Sequence, residues 1–229
     1  ALTGGMAIEA LNNAGVLQKK IIVILNDNEM SISENVGALS EYLCRLRTDP
    51  TYSHLKTDVE SLIKSIPTIG EPVAKTVRRV KDTLKYFLAP GMLFEQLGFT
   101  YIGPVDGHNL DGLIDIMERA KKIDKPVLMH VITKKGKGYL PAETNPDKFH
   151  GTSAFEITTG EKIKVEGAPK TYTEVFGDTL VKIAEKNPNI VAITAAMRDG
   201  TGLAKFFERF PERAFDVGIA EQHAVTMAA

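Results

Sequence analysis

The chain has one cysteine, Cys44, and no tryptophan among its 229 residues. A lone thiol excludes an internal disulfide, and without a second cysteine a thiol-ligated zinc site is excluded as well. Nothing in the cysteine usage argues for secretion, so a reducing cytoplasm is the expected location. Neither sign of charge dominates, since 28 Lys and Arg stand against 29 Asp and Glu for a formal net charge of -1. That balance removes the electrostatic case for a nucleic-acid or anionic-membrane binder, and any polyanion must be held locally. Long apolar runs are lacking too. The longest strictly aliphatic one, Ile21 to Leu25, is far short of the roughly 20 residues of a membrane helix, and no charged-then-apolar leader is recognised. Repeats and low-complexity tracts are absent. What remains is globular in character, with 43% hydrophobic and 25% charged residues, enough apolar surface to build a core. The length suits one or two domains at roughly 100–200 residues each.

Periodicity orders the chain. Met6, Ala10 and Ala14 share one helical face, with Gly15 as the expected stop. Ile21 to Leu25 is a continuous β-branched-rich run, the pattern of a central parallel strand covered on both faces, and it ends in the polar string Asn26-Asp27-Asn28-Glu29. Val36, Leu39, Leu43 and Leu46 recur at helical spacing, as do Val73, Val77, Val80, Leu84 and Leu88, whose interleaved basic residues make a solvated face. Between these helices, about 48–72, lies a polar, proline-bearing stretch expected as a mobile excursion. The pattern then predicts a strand over Phe99 to Ile102, a turn over Gly103 to His108, a helix through Leu110, Leu113, Ile114 and Met117, and a strand over Val127 to Thr133. Residues 151–170 are rich in Thr, Gly and Lys and are expected as a linker. After it come a helix through Val175 and Leu180, a strand Ile190 to Thr194, a short helix near Phe206, a strand Ala214 to Val217 and a helix opening at Glu221. Alternating strands and helices predict an α/β fold with parallel sheets, as parts of two consecutive domains, 1–150 and 171–229.

Ligands of open parallel sheets bind beyond the carboxyl ends of the strands, so the polar strings after strands are the places to search. Asn26 to Ser31 offers hard oxygen donors suited to Mg²⁺, and is equally a polar turn with Asx-type hydrogen bonds. Thr133-Lys134-Lys135-Gly136-Lys137-Gly138 places lysines beside glycines that can approach a phosphate, although the spacing is not that of a Walker loop; its plain alternative is a solvated basic turn. Asp216 to His223 runs from a strand straight into a helix. Glu221 there can be an anion stabilised by the helix terminus, a group kept for proton traffic, or simply a first-turn residue favouring the dipole.

Together and in this order the strings resemble the 1-deoxy-D-xylulose-5-phosphate synthase family, thiamine-diphosphate enzymes of the transketolase superfamily. The resemblance covers nearly the whole chain and rests on LNDNEMSISENVGAL (Leu25 to Leu39), LGFTYIGPVDGHNL (Leu97 to Leu110), TKKGKGY (Thr133 to Tyr139) and FDVGIAEQHAVTMAA (Phe215 to Ala229). It implies Asn28 and the Met30 carbonyl as Mg²⁺ ligands, Lys135 near the cofactor's diphosphate, and His150 facing the reacting carbons. Glu221 matches the catalytic glutamate that hydrogen-bonds the aminopyrimidine ring and sets the tautomer that removes the thiazolium C2 proton. Residues 1–150 then correspond to the carboxyl-terminal part of a diphosphate- and Mg-binding domain, and 171–229 to the amino-terminal part of a pyrimidine-binding domain.

The implied transferase reaction decarboxylates pyruvate and passes two carbons to D-glyceraldehyde 3-phosphate, at the entry to isoprenoid and thiamine biosynthesis, in a cytoplasmic homodimer. Only the second half of the superfamily's cofactor motif is present and family members are much longer, so the sequence is expected to be part of a longer polypeptide. A non-catalytic module, or another transketolase-like enzyme, is the competing expectation. Of the histidines the resemblance does not use, His130 inside an apolar strand is expected to be structural, His108 to cap the following helix, His54 to lie in the excursion, and His223 to point away from Glu221.

Overall fold

A computed structural model describes residues 2–48, 91–163 and 167–229. The predicted excursion beyond Thr48, the basic helix 73–88 and His54 lie outside the described residues. In chain order the elements are α1 (Gly5–Leu17), β1 (Ile22–Asp27), α2 (Ala38–Thr48), α3 (Met92–Gln96), β2 (Thr100–Asp106), α4 (Leu110–Ala120), β3 (Val127–Ile132) and α5 (Leu140–Thr144). They continue with α6 (Tyr172–Lys186), β4 (Ala192–Thr194), α7 (Ala204–Arg209), a 3-10 turn (Pro211–Arg213), β5 (Ala214–Asp216) and α8 (Glu221–Ala228). Among the described residues the strands form a three-stranded sheet of order β1-β3-β2 and a two-stranded sheet of β4 and β5. Val127 N–H donates to the Ile21 carbonyl at 2.8 Å, and Thr133 N–H to that of Asp27 at 2.9 Å. Both partners advance by the same six residues (127 to 133, 21 to 27), which makes β1 and β3 parallel. β4 and β5 are parallel as well, in the register Ala192–Ala214 and Thr194–Asp216. The α/β class with parallel sheets is therefore the observed one.

The chain divides into two compact units. One comprises residues 11–25 and 42–131. Its centre is β3, where Val127, Leu128, Met129 and His130 are all fully buried beside Phe94. Phe94 stacks on Tyr101 with ring centroids 5.9 Å apart, and the Tyr101 hydroxyl lies 2.8 Å from His130 Nδ1. His130 is thus the partnered core histidine that an apolar strand implies.

Four expectations need correction in this unit. Among the described residues β1 is an edge strand, not the central one: Leu25 is buried but Ile24 is 52% exposed, because the apolar run closed on both faces is β3 and a short aliphatic string does not distinguish the two places. β2 does not turn at Gly103 but continues to Asp106, its edges completed by the sheet rather than by local propensity. α4 is capped not by His108 but by Asn109, whose Oδ1 accepts from Gly112 N–H at 3.1 Å, the shorter amide side chain reaching the free donor. Gly15 does not stop α1, which runs on to Leu17. A Cβ at Gly15 would lie 1.7 Å from the Leu97 carbonyl oxygen, so the glycine serves close approach of helix and backbone rather than termination.

The other unit comprises residues 1–10, 26–41 and 132–229. Within it α6 opens with a capping box, Glu174 N–H donating to Thr171 Oγ1 at 3.2 Å and Thr171 N–H to Glu174 Oε2 at 2.7 Å. α6, α7 and β4 share a core of Ala184, Ala192, Leu203 and Phe206. Arg213 seals its rim, its guanidinium 4.0 Å from the Phe210 ring centre while it donates to the carbonyls of Ala184, Asn187 and Ile190. Asp178 on α6 is paired with both Lys170 and Lys205. Before α6, residues 154–163 fold back through a Phe155–Lys162 bridge, and Phe155 packs with Tyr139 and Phe149.

Candidate active site

Three strand-end segments of this second unit carry the chemistry-bearing residues. The first follows β1. Asn26 Oδ1 accepts from the Thr133 hydroxyl at 2.6 Å, which ties the ends of β1 and β3 together. Asn28 Oδ1 accepts from Met30 N–H at 3.0 Å and Asp27 Oδ1 from Glu29 N–H at 3.2 Å, so the Asx-type turn is real. The chain then reverses about an isolated Met30–Glu34 bridge. The flanking bonds, Asn35 N–H to the Glu29 carbonyl at 2.8 Å and Ser31 N–H to the Ser33 carbonyl at 2.7 Å, make this a non-hydrogen-bonded pair. Such a pair leaves the Met30 carbonyl out of the ladder.

The second segment follows β3. Lys135 is half-buried and donates from Nζ to the carbonyls of Ser31 at 2.8 Å and Ile32 at 3.3 Å. Burial pushes its ammonium below the usual lysine range, while the Asp147 carboxylate pulls it back upward. The loop bearing Lys135 is anchored at both ends by Glu143 on α5, which accepts from Gly138 N–H at 2.9 Å and pairs with Lys134 at 2.6 Å. Those contacts hold the Glu143 carboxyl below the usual carboxylate range. His150 is exposed, and its backbone N–H donates to the Asp147 carbonyl at 3.1 Å. Among the described residues its connection to Lys135 runs through the Asp147 turn.

The third segment joins β5 to α8. Asp216 Oδ1 accepts from both Ala196 N–H and Gly218 N–H, each at 2.9 Å. Gly218 adopts the left-handed φ of +66°, and a Cβ on it would lie 3.1 Å from Val36 Cγ2. The turn entering α8 therefore rests on the tail of the Asn28 loop. Glu221 is the first residue of α8 and is exposed. His223, two positions on, lies about 200° around the helix, so it faces elsewhere.

Lys135 is thus joined directly to Ser31 and Ile32, just after the Asn28–Met30 turn, and the turn before Glu221 packs on Val36 farther along the same loop. Among the described residues, no hydrogen bond connects the side chains of Glu221 or His150 to the other site residues. Asp216 and Glu143 were not singled out from sequence. For Asp216 a signal existed in the Asp-x-Gly spacing of an Asx turn. For Glu143 there was none, because its partners are set by the fold.

A family profile described as 1-deoxy-D-xylulose-5-phosphate synthase matches residues 1–133, more than half of the chain. The chain belongs to this synthase family. A second profile, the pyrimidine-binding domain of transketolase, matches residues 168–229. The curated 1-deoxy-D-xylulose-5-phosphate synthase of Natranaerobius thermophilus is 63% identical over 229 residues, covering 100% of this chain and 36% of the relative. That of Carboxydothermus hydrogenoformans is 62% identical and that of Pelotomaculum thermopropionicum 59%, each with 100% and 36% covered. The chain spans about a third of the length of the synthases it matches. Among the described residues no helix is long and apolar enough to cross a membrane.

Proposed function

We propose that the chain is the portion of a 1-deoxy-D-xylulose-5-phosphate synthase that carries part of its thiamine-diphosphate site, for the decarboxylation of pyruvate and transfer of two carbons to D-glyceraldehyde 3-phosphate. The observation that carries this reading is the convergence of Lys135 on the Ser31 and Ile32 carbonyls, which joins two family motifs far apart in sequence into one strand-end site. Residues 1–150 act as part of the diphosphate- and Mg-binding domain, 151–170 as the linker and 171–229 as part of the pyrimidine-binding domain. A cytoplasmic homodimer, feeding isoprenoid and thiamine biosynthesis, completes the reading.

The donor set fits a hard cation. Among the described residues Asn28 Oδ1 accepts one hydrogen bond, from Met30 N–H, and an amide oxygen has two lone pairs. The Met30 carbonyl stands outside the ladder of its bridge. Two neutral oxygens of this kind suit Mg²⁺, which takes the rest of its octahedron from phosphate and water. When bound, thiamine diphosphate supplies the electron sink that lets pyruvate lose CO₂ and leaves two carbons for transfer. Asn28 and the Met30 carbonyl would hold the metal, and Lys135, through its bonds to the Ser31 and Ile32 carbonyls, would keep the loop in place beside the diphosphate. Glu221 would hydrogen-bond the aminopyrimidine ring and hold a proton there, and His150 would be the group beside the reacting carbons.

The test uses the full-length polypeptide that contains these residues. CO₂ release from carboxyl-labelled pyruvate is expected to require thiamine diphosphate and Mg²⁺ and to rise with D-glyceraldehyde 3-phosphate. Asn28→Ala is expected to raise the Mg²⁺ requirement by about tenfold, the loss of one good ligand. Release independent of the cofactor would overturn the reading.

A further inference from the structure

We infer that Asp216 is a positioning residue for Glu221: its carboxylate fixes the turn from which α8, and with it Glu221, is delivered to the site. The inference rests on the proposed role of Glu221, and it gives Asp216 a role through the turn, by its bonds to Ala196 and Gly218 N–H, rather than through the reacting atoms.

The first free N–H groups of a helix commonly donate to a side-chain oxygen at the cap position. α8 lacks one, since Ala220 occupies the cap position and offers no side-chain acceptor. The entry of α8 is set instead by a relay of hydrogen bonds that starts at Asp216. Its Oδ1 accepts from Gly218 N–H at 2.9 Å. The Gly218 carbonyl accepts from Ala220 N–H at 2.8 Å, and the Ala220 carbonyl from Ala224 N–H at 2.9 Å, already inside the helix. Glu221 is the next residue after Ala220, so each bond of the relay constrains the backbone that carries its side chain.

The same oxygen also holds Ala196 N–H at 2.9 Å, beyond the end of β4. Ala196 is 1% exposed and sits at φ +58°, while Gly218 sits at φ +66°. Two left-handed positions are therefore drawn to a single acceptor. One of them carries a Cβ, which makes the conformation unfavourable without an outside partner. Val217 N–H donates to the Thr194 carbonyl at 3.0 Å, so β5 is paired up to the turn and the carboxylate takes over where the ladder ends. On the far side Val36 closes the space over Gly218. The turn is thus held between an acceptor on one side and an apolar stop on the other.

What Asp216 supplies is an acceptor oxygen in a set place, and an amide oxygen can do the same. This separates positioning from a need for charge. In the full-length polypeptide, Asp216→Ala is expected to lower kcat by about tenfold at saturating cofactor and leave the KM for pyruvate within about threefold, the result of a displaced reacting group. Asp216→Asn is expected to stay within about threefold of the unaltered protein, because its Oδ1 accepts both N–H groups. Hydrogen exchange of peptides covering 217–224 is expected to speed up in Asp216→Ala and not in Asp216→Asn.

An Asp216→Ala protein with unaltered kcat, or an Asp216→Asn protein as impaired as the alanine variant, would overturn the inference. Glu221→Gln is measured alongside. If it leaves kcat unchanged, the reading of Glu221 fails, whereas the exchange data still report whether Asp216 holds the turn. Should Asp216→Ala not fold, Asp216→Asn is compared with Gly218→Ala, which strains the same turn from its other end. The expected kcat is near normal for the first and about tenfold lower for the second, and equal values for the two overturn the inference.

Discussion

In the unit formed by residues 11–25 and 42–131, Val127 to His130 and Phe94 have 0% exposure and the structure is held by contact of apolar surfaces. In the loops after β1, β3 and β5, Asn28, Met30, Lys135 and Asp216 are only half-buried and are held by individual hydrogen bonds to backbone groups. Packing forces add over many atoms and tolerate the loss of none of the space they fill. A loop held by a few hydrogen bonds loses its position when one donor or acceptor goes, yet the domain around it keeps most of its stability. The two regions should therefore fail differently, the first by unfolding and the second by misplacing a site that remains folded.

The largest expected effect is at Gly15. A methyl group there meets the Leu97 carbonyl oxygen at 1.7 Å, and because the opposing atom belongs to backbone, Gly15→Ala should cost about 3 kcal/mol. Urea denaturation of the full-length polypeptide would show a lower midpoint at unchanged slope; an unshifted midpoint would mean that the helix moves away freely. Next is Tyr101→Phe, which removes the hydroxyl from the fully buried His130 ring. Loss of this hydrogen bond to a buried ring costs about 1 kcal/mol, read from the same transition, while cofactor affinity should stay unchanged.

Lys135→Met sharpens the contrast from the other side. It keeps the stem and removes the donors to the Ser31 and Ile32 carbonyls, so thiamine-diphosphate affinity should fall by about tenfold while stability changes by under about 1 kcal/mol. Calorimetric titration and thermal unfolding of one preparation would check both. A large loss of stability with full affinity would erase the distinction between the regions.

The smallest effect is expected in acid. Hydrogen bonds from Lys170 and Lys205 lower the Asp178 carboxyl from 3.8 to about 2. A folded value below the unfolded one means that the contribution is whole above pH 3.8 and is lost as the pH falls through that value toward about 2. The pairs are solvent-exposed and so weak. Asp178→Asn should flatten the acid limb of the stability curve within that window and leave the neutral region nearly unchanged.

Much of the scaffold was legible from residue order. Among the described residues, the apolar run of β3, the alternation of helices and strands and the polar strings beyond strand ends all report local periodicity, and those elements stand close to where it puts them. The errors came where a distant partner decides. The edge position of β1 depends on β3 taking the centre, and the role of Gly15 depends on Leu97. In the site, the motif strings were visible because their residue types are unusual together. The bonds between them were not, since Lys135 and Ser31 are 104 positions apart and nothing near either residue encodes the other. Asp216 lay between these cases: its bond to Gly218 is a local Asx pattern, and its bond to Ala196 is not.

The contact between Gly15 and the Leu97 carbonyl has a consequence at the level of the gene. Every glycine codon changed at its first or second base specifies a residue with a Cβ or a stop. Since no Cβ fits at 1.7 Å from a backbone oxygen, only third-base variation should survive purifying selection at this codon, while the neighbouring codons for exposed Val16 and Leu17 drift freely among apolar and polar replacements.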